Sequence, residues 1–555
     1  MMFTDKIKRL GIVFFLTFIL FCFSYMVMTS GQMDFSYDSG FYTNDICVEL
    51  TYHGNATIYY TVDGSEPEKD NGTTKVYEKG IDIPCREENQ VVLLKTKAIS
   101  ADGSETKTFS HTYFMGKEIS SRYSTYVVSI STDPDNLYGY ENGIFVAGKL
   151  RDEYIAEYGE EDMPFTAPAN YNLHGRESER EIYIEMFKED GTQILSQRCG
   201  IRTGGNFSRT SEQKPFRIYA REEDYGTSFF DYDFFDYRKD DFVNGYHEFD
   251  KLYFRNSGND RQQAYIRDEL AASLANQAGF LDTQYFVPTC VYINGEYEGF
   301  YWMHSQFNES YFRQRYGNYR GEMVIIGETE KNPSTDTDDP QINKYAEEYM
   351  KEYKRLSNLD LTDDYNYQEV NSFLDIENYL QYYALQIYMC NKDWPHGNVQ
   401  MYRYVSDRNE YTDGTVFDGR YRYLFYDVDS SMGYYEMSDS LNVWGSCEKL
   451  DELLQSEKAP LFKALMQRED CQKYFTEYMC YLIDEVFTGE KVTQLVDEID
   501  ASRRKELDIY IEYFTGYTPE EFKYLDMQLD TIRTWGNVNG EHVKWKLQDL
   551  WGLVK

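Results

Sequence analysis

Two short segments of the 555-residue chain carry the residue types of a phosphoryl-transfer site. The first is the loop-like stretch 391–398, and the second follows an apolar run that ends at residue 426. Such a site needs a carboxylate that accepts a hydroxyl proton, and oxygen ligands for the metal that bridges the phosphates. The predicted proton acceptor is Asp393. The predicted ligands of Mg²⁺ or Mn²⁺, which prefer oxygen donors, are Asn398, Asp427 and Asp429.

The elements around these residues place them on loops. Apolar residues recur with helical spacing over 376–389, which predicts a helix that ends just before Asp393. Residues 399–404 and 421–426 have strand composition and flank a polar turn region. A helix, a loop with Asp and Asn, a β-hairpin and a metal-binding Asp follow one another in the same order in kinase C-terminal lobes.

Other interpretations of these acidic residues remain open. An Asp five residues before an Asn is frequent by chance, and Asp-x-Asp after a strand is also typical of solvated turns and calcium sites. Asp427 and Asp429 could also act as the acid and base of a glycoside hydrolase. Because nothing else in the chain indicates a sugar cleft, the order of elements favours phosphoryl transfer.

A second polar segment, 202–218, contains a Gly-Gly pair at 204–205 between cationic residues. Backbone N–H groups of such a loop can approach an anion, and the cations complement phosphate charge. Considered alone, Gly-Gly-Asn is an ordinary β-turn with surface cations. Together with the downstream segment, it predicts a nucleotide site formed by Asn206, Ser208, Lys214 and Arg217.

The charge balance limits the partners. The chain has 95 acidic and 56 basic residues and a formal net charge of −39. Nucleic-acid binding requires a basic surface, so a nucleic-acid partner is not expected. An acidic body favours cationic partners, which predicts a basic or Ser-rich protein substrate.

The first 32 residues read as a membrane anchor or signal. Residues 10–28 contain no charge and follow Lys6, Lys8 and Arg9. The length suits one membrane span, and the basic flank predicts a cytoplasmic N-terminus with an extracytoplasmic body. A cleaved signal peptide, and hence a secreted protein, is the alternative.

Residues 33–117 have the pattern of a small Ig-like β-sandwich. Strand-like runs at 46–50, 57–62 and 91–98 alternate with turn signals such as Asp63-Gly64. Cys47 and Cys85 fall in this module and could pair. The module is expected to act as a spacer, and glycan binding is the alternative.

Residues 118–555 are predicted to form one α+β domain, strand-rich over 118–330 and helical over 331–555. Strands are predicted at 126–130, 143–146, 181–187, 215–220 and 252–255, a helix at 264–278, and a hairpin with an Asn-Gly turn over 291–302. Helical spacing recurs over 459–487 and 490–515, and 331–340 is a predicted surface loop.

The motifs of this large domain resemble the CotH kinases, the spore coat protein H family. The resemblance implies an atypical protein kinase fold that uses ATP and a divalent metal to phosphorylate Ser in coat proteins, with Asp393 catalytic and Asn398 and Asp427 holding metal. Gln306 departs from the pattern, where members often have Glu. The motifs are Arg202-x2-Gly205-Asn206-x-Ser208, Lys214-Pro-Phe-Arg217, Arg255-Asn256-x2-Asn259-Asp260, Arg267-Asp268, Tyr292-Ile293-Asn294-Gly295-Glu296-Tyr297-x-Gly299, Asn391-x-Asp393-Trp394-Pro395-x2-Asn398 and Tyr423-x-Phe425-Tyr426-Asp427-x-Asp429.

Residues 58–67 resemble the Ig-like module at the C-terminal end of chitobiases and β-hexosaminidases. The sequence as a whole predicts a multidomain, membrane-anchored atypical protein kinase that transfers phosphate from ATP to Ser or Thr of envelope or coat proteins. The alternative is a non-enzymatic surface adhesin or carbohydrate-binding protein on a kinase-like scaffold. The set Asp393, Asn398 and Asp427 distinguishes the two, because an adhesin would not need it.

Overall fold

The computed structural model of the protein describes residues 31–552, apart from 70, 244, 246, 329–339 and 520. The apolar segment 10–28 lies outside the described residues, as does nearly all of the predicted loop 331–340. Within the described part of the chain, no helix is both long enough and apolar enough to cross a membrane.

The N-terminal module is β-rich, as its alternating sequence predicts, and its described residues form nine strands. Strands β2, β9, β8, β5 and β6 form one sheet in that order, and β1–β4 and β3–β7 form two small pairs. Val48, Leu94 and Tyr113 belong to the shared apolar core. Cys47 and Cys85 are both free thiols. The strands are β1 (Met33–Phe35), β2 (Gly40–Tyr42), β3 (Ile46–Val48), β4 (Leu50–Tyr52), β5 (Ala56–Thr61), β6 (Lys75–Val76), β7 (Ile81–Ile83), β8 (Gln90–Ser100) and β9 (Phe109–Met115).

The strand-rich region that follows closes into a seven-stranded barrel, a closure that the sequence pattern does not predict. The barrel order is β10-β11-β12-β13-β16-β18-β17, and parallel pairing of β17 with β10 closes it. The predicted turn Asn294-Gly295 joins β17 to β18. The strands are β10 (Tyr126–Ser131), β11 (Arg180–Phe187), β12 (Gln193–Thr203), β13 (Phe216–Tyr219), β14 (Phe230–Asp231), β15 (Glu248–Phe249), β16 (Lys251–Arg255), β17 (Phe286–Ile293) and β18 (Glu296–His304).

One predicted strand of this region, at 143–146, is wrong. These residues form turns, in which the Gly143 N–H bonds to the carbonyl of Gly139 at 2.8 Å. Ile144 and Phe145 are buried in the barrel core, so the apolar run reflects core packing rather than a strand.

The remaining chain is mainly helical and contains a three-stranded sheet, β19-β20-β21. Helix α8 and strand β20 match their predictions, whereas β21 is shorter than the predicted run 421–426. The strands are β19 (Glu322–Glu328), β20 (Val399–Val405) and β21 (Arg422–Leu424). The α-helices among the described residues are α1 (Pro134–Tyr138), α2 (Gly148–Tyr158), α3 (Glu222–Tyr225), α4 (Arg267–Gln277), α5 (Glu309–Tyr316), α6 (Pro340–Leu356), α7 (Asp364–Phe373), α8 (Ile376–Tyr388), α9 (Gly445–Gln455), α10 (Pro460–Leu465), α11 (Glu469–Tyr481), α12 (Gly489–Thr515) and α13 (Tyr524–Trp551).

The N-terminal module packs directly on the barrel. Phe114 of β9 contacts Phe187 and Tyr292 of the barrel edge-to-face, with ring centroids 5.5 and 5.4 Å apart. The fully buried Lys95 donates from Nζ to the carbonyl of Thr132 at 2.7 Å. Because apolar and polar contacts are both buried here, the module is held in a fixed position on the barrel.

The linker after the module also contacts the C-terminal helices. Arg122 makes a two-pronged ion pair with Glu506 of α12, at 2.9 and 3.2 Å. Glu506 is fully buried, so removal of either partner would leave an uncompensated charge in the interior.

Glu185 provides a test of this docking. Its carboxylate is 2% exposed and accepts from Thr112 Oγ1 at 2.6 Å and Gln193 Nε2 at 2.9 Å. Burial raises the pKa of Glu185 to about 7. A raised folded-state pKa means that the contribution to stability is complete below the unfolded pKa and is lost as pH rises through about 7.

We therefore expect Glu185→Gln, which mimics the protonated acid, to be more stable than the wild type at pH 8, by about 1–3 kcal/mol. At pH 5, close to the unfolded pKa, the difference should be much smaller. Thermal unfolding of both proteins across this range measures it, with the exposed Glu189→Gln as the matched control. A constant difference between pH 5 and 8 would contradict the account.

Candidate active site

A cavity of about 640 Å³ lies where the barrel meets the helical region. Strands β12, β13 and β16 supply one wall, and the loops after α8 and β21 supply the other. The cavity walls differ sharply in charge, with carboxylates on the helical side and cations on the barrel.

The carboxylates of the acidic wall come from two loops. Asp393 lies shortly after the end of α8, and Asp427 and Asp429 follow β21. Asn398 and Asp427 have left-handed backbone conformations, with φ of 59° and 57°. Among non-glycine residues, Asn and Asp adopt this backbone conformation most readily, so these residue types suit both positions.

A single guanidinium holds the acidic wall together. Arg255, at the end of β16, pairs through Nη1 with Asp268 at 2.8 Å, and through Nη2 with Asp429 at 2.6 Å and with Asp427. Three carboxylates face one cation, so the cluster carries a surplus of negative charge. Burial, together with neighbouring carboxylates, raises the pKa of both Asp427 and Asp429 despite Arg255. A second cation would relieve this surplus.

Asn259 connects the two loops of the acidic wall. Its Nδ2 donates to Asp393 Oδ2 at 2.8 Å and to Asp429 Oδ1 at 3.1 Å, and its backbone N–H donates to Asp429 Oδ2 at 2.9 Å. Ser430 Oγ also donates to Asp393 Oδ2, at 2.9 Å. These bonds use one oxygen of Asp393 and leave the other available to a molecule in the cavity.

The Asp393 loop is fixed from below. Trp394 is 1% exposed and packs edge-on against Tyr383, with centroids 4.7 Å apart. Lys449 of α9 donates from Nζ to the Trp394 carbonyl at 2.8 Å, and Lys392 donates to the Tyr434 carbonyl at 2.7 Å. The loop therefore presents Asp393 from a rigid support.

The cationic wall follows from strand alternation. Phe216 and Ile218 of β13 point into the barrel core, so Arg217 and Tyr219 face the cavity. Arg202 of β12 lies opposite Arg217 in the register, and Lys251 of β16 lies opposite Tyr219.

These cations create a strongly positive region. Burial alone would raise the pKa of Tyr219. The positive charges of Lys251, Arg217 and Arg202 outweigh this effect and leave the pKa of Tyr219 below its ordinary value. Arg217 bonds the neutral Gln306 amide at 3.3 Å, and the described residues offer neither Arg217 nor Lys251 a carboxylate within 4 Å, whereas Arg202 lies 3.9 Å from Glu179. Cations without carboxylate partners in so acidic a protein are suited to a bound anion.

The glycine loop lies directly over this wall. A Cβ at Gly204 would lie 2.5 Å from the Tyr253 ring, and Gly205 has a φ of +74°. Both positions therefore require glycine. The buried Arg209 anchors the loop by donating to the Gly205 carbonyl at 2.6 Å.

Seven of the eight residues predicted from sequence line the cavity, and Lys214 does not. Lys214 Nζ donates to the Ser211 carbonyl at 2.6 Å and lies 4.4 Å from the centre of the Tyr171 ring. Burial and the nearby Arg261 lower its pKa to about 8. The seven are Asn206, Ser208, Arg217, Asp393, Asn398, Asp427 and Asp429.

Four important residues were not predicted as site residues: Arg202, Lys251, Arg255 and Asn259. Arg255 and Asn259 belong to a recognisable sequence motif, but only the structure shows their bonds to the acidic loops. Lys251 has no local signal, because its position depends on pairing between β13 and β16.

The acid–base interpretation as a glycoside hydrolase finds no support in this arrangement. Asp427 and Asp429 both bond the same nitrogen of Arg255, which brings them together rather than across a substrate. Neither residue lies on a strand, since β21 ends at Leu424.

Comparison with known families is consistent with these features. The family model described as CotH kinase protein matches residues 201–543, more than half of the chain. The model described as Fn3 associated matches residues 48–113, within the N-terminal module. No curated protein matches the chain.

The charge cluster around Arg255 yields a stability prediction. We expect Arg255→Met to lower the free energy of unfolding by about 3–5 kcal/mol, because it leaves buried carboxylates without their counter-charge. Arg217→Met is the matched control on the neighbouring strand, and we expect it to change stability by less than about 0.5 kcal/mol. Denaturant unfolding measures both, and equal effects of the two substitutions would contradict the assignment.

Proposed function

Since the chain belongs to the CotH kinase protein family, we propose that it is a membrane-anchored extracytoplasmic protein kinase. In this proposal it transfers the terminal phosphoryl group of ATP to Ser or Thr hydroxyls of envelope or coat proteins. The observation that carries the proposal is the division of one cavity into a cationic wall and an acidic wall. A metal–nucleotide complex offers the complementary charges to both.

The acidic wall fits a divalent metal. Asp427, Asp429 and Asn398 supply hard oxygen donors, and the carboxylate surplus around Arg255 calls for a further positive charge. When bound, Mg²⁺ or Mn²⁺ would neutralise phosphate charge. These residues are the proposed ligands.

The cationic wall fits the phosphates of ATP. Arg217, Lys251 and Arg202 would neutralise the polyphosphate chain, while Asn206 and Ser208 approach it from the glycine loop. Lys214 lies outside the cavity, and the proposal gives it a role in supporting the loop through Ser211.

In this proposal, Asp393 takes the proton of the acceptor hydroxyl. Asn259 and Ser430 bind one carboxylate oxygen and orient the other. As the acceptor oxygen forms its bond to the terminal phosphorus, the bond to the bridging oxygen breaks and ADP leaves. The hydroxyl proton passes to Asp393, whose loop holds its position through Trp394 and Lys449.

The location of this activity rests on the sequence. The apolar segment 10–28 and its basic flank support an anchor with an extracytoplasmic body. The packed Fn3-associated module would then hold the catalytic body next to the envelope, and release after signal cleavage remains the alternative.

We expect Asp393→Asn to slow phosphate transfer by about 10²–10⁴-fold while nucleotide binding persists, because the variant loses only the proton acceptor. Asp427→Ala should lose both, because it removes a metal ligand. Transfer of radiolabelled phosphate to Ser-containing peptides and to the protein itself measures the first effect, and calorimetry the second.

The exposed Asp439→Asn is the matched control for these substitutions. Transfer by Asp393→Asn at the wild-type rate would remove the proton-acceptor role. A folded wild type that neither binds the nucleotide nor transfers phosphate would favour an adhesin on a kinase-like scaffold.

A further inference from the structure

Two exposed aromatic side chains lie together on the rim of the cavity. Phe165 is 42% exposed and Phe207 is 60% exposed, and their rings meet edge-to-face with centroids 5.6 Å apart. Both line the same cavity as the acidic and cationic walls. Neither ring has a role in the metal or phosphate contacts described above.

The loops that carry these rings are rigidly supported. Arg209 is 4% exposed and joins the two loops, donating to the Gly205 carbonyl at 2.6 Å and to the Leu173 carbonyl at 2.9 Å. Asn172 Nδ2 donates to the Phe165 carbonyl at 3.0 Å. The rings are thus presented to solvent by an ordered framework, a pattern typical of a recognition surface.

Strand register shows which end of the cavity the rings occupy. Phe216 pairs with Phe254, so the loop that precedes β13 emerges beside Arg255 and the acidic wall. Asn256 Nδ2 confirms this proximity by donating to the Gln213 carbonyl at 2.7 Å. Phe207 belongs to this loop and therefore lies towards the acidic end.

The opposite end of the cavity lies beside Lys251. Lys251 lies four positions before Arg255 along β16, which corresponds to about 13 Å. Tyr253 pairs with His304, so Gln306 and Phe307 continue towards the Lys251 end. This end offers an amide and a separate aromatic ring for the base of a nucleotide whose terminal phosphate lies near Asp427.

We propose that Phe165 and Phe207 form an acceptor subsite that binds an apolar side chain next to the phosphorylated Ser or Thr. The proposal rests on the proposed kinase function and adds the class of acceptor sequence. The acceptor hydroxyl must reach Asp393 at the acidic end, and the rim rings lie at that end, next to Asn206. An adjacent Leu or Phe of the acceptor would cover ring surface that is otherwise exposed to water.

Two acetylated seven-residue peptides provide the test. Both have a central Ser in a glycine background, and one has Leu on each side of the Ser. Transfer kinetics compare kcat/KM for the two peptides. Saturation-transfer NMR, with Mg²⁺ and a non-hydrolysable ATP analogue present, detects binding of the Leu methyl groups independently of catalysis.

We expect the wild type to prefer the Leu peptide by about ten-fold. The double variant Phe165→Ala/Phe207→Ala should lose this preference and the methyl signal, while its affinity for the ATP analogue stays within about two-fold. Phe207→Leu, which keeps an apolar side chain at this position, should retain part of the preference. Tyr158→Ala removes another exposed aromatic ring, outside the cavity lining, and should change nothing.

The outcomes separate the subsite from the kinase function. Equal treatment of both peptides by the wild type in both measurements would overturn the subsite, and transfer to both would leave the kinase function intact. A loss of nucleotide affinity in the double variant would assign the rings to the base instead and would also overturn it. A methyl signal that the wild type shows and the double variant does not, without any phosphate transfer by the wild type, would support the subsite and count against the kinase function.

Discussion

The ion cluster around Arg255 is the interaction on which the rest of the site depends. One guanidinium at the end of β16 binds carboxylates from helix α4 and from the loop after β21. It therefore joins the barrel to the helical region at the floor of the cavity. Because three carboxylates share this cation, the cluster fixes geometry and still retains negative charge that a metal can neutralise.

Close packing around the cluster leaves little freedom. A Cβ at Gly258, which has a φ of +53°, would lie 2.2 Å from Asp429 Oδ2. The turn that begins there places Asn259 against both Asp429 and Asp393. Residues far apart in the chain are thus held in one hydrogen-bonded unit before any ligand binds, which lowers the cost of ordering a transition state.

The barrel strands hold the cationic side chains close to these carboxylates but separate from them. Alternation along β13 and β16 points apolar side chains inward and Arg217, Tyr253 and Lys251 outward. The cations lie over aromatic ring faces; for example, the Arg217 guanidinium lies 4.4 Å from the Tyr253 ring centre. The result is a cavity with separated poles inside a protein of net charge −39.

Local sequence predicts the parts of this site that lie on single loops. Helical spacing before Asp393 and strand composition after Asn398 place the Asp-Asn loop correctly, because these elements follow from local hydrophobic periodicity. The barrel depends instead on pairing of residues 126–130 with 289–293, which no local pattern encodes. Lys251 shows the same limit, since its place beside Tyr219 depends on the pairing of β13 with β16, whereas Lys214 bonds the Ser211 carbonyl outside the cavity.

The N-terminal module shows a further difference between pattern and structure. Alternating runs predict its strands, and a spacer is the function expected from its sequence. The buried contacts of Phe114, Lys95 and Glu185 with the barrel depend on which faces remain uncovered after both parts fold. The module is thus part of the same folded body as the barrel.

Calorimetric titration of ATP into the wild-type protein, with and without Mg²⁺, tests the central claim most directly. The divided cavity predicts binding at one site that Mg²⁺ strengthens by about ten-fold or more, since the metal links the phosphates to the acidic wall. Binding that is indifferent to Mg²⁺, or no binding by a folded protein, would contradict the assignment of the two walls.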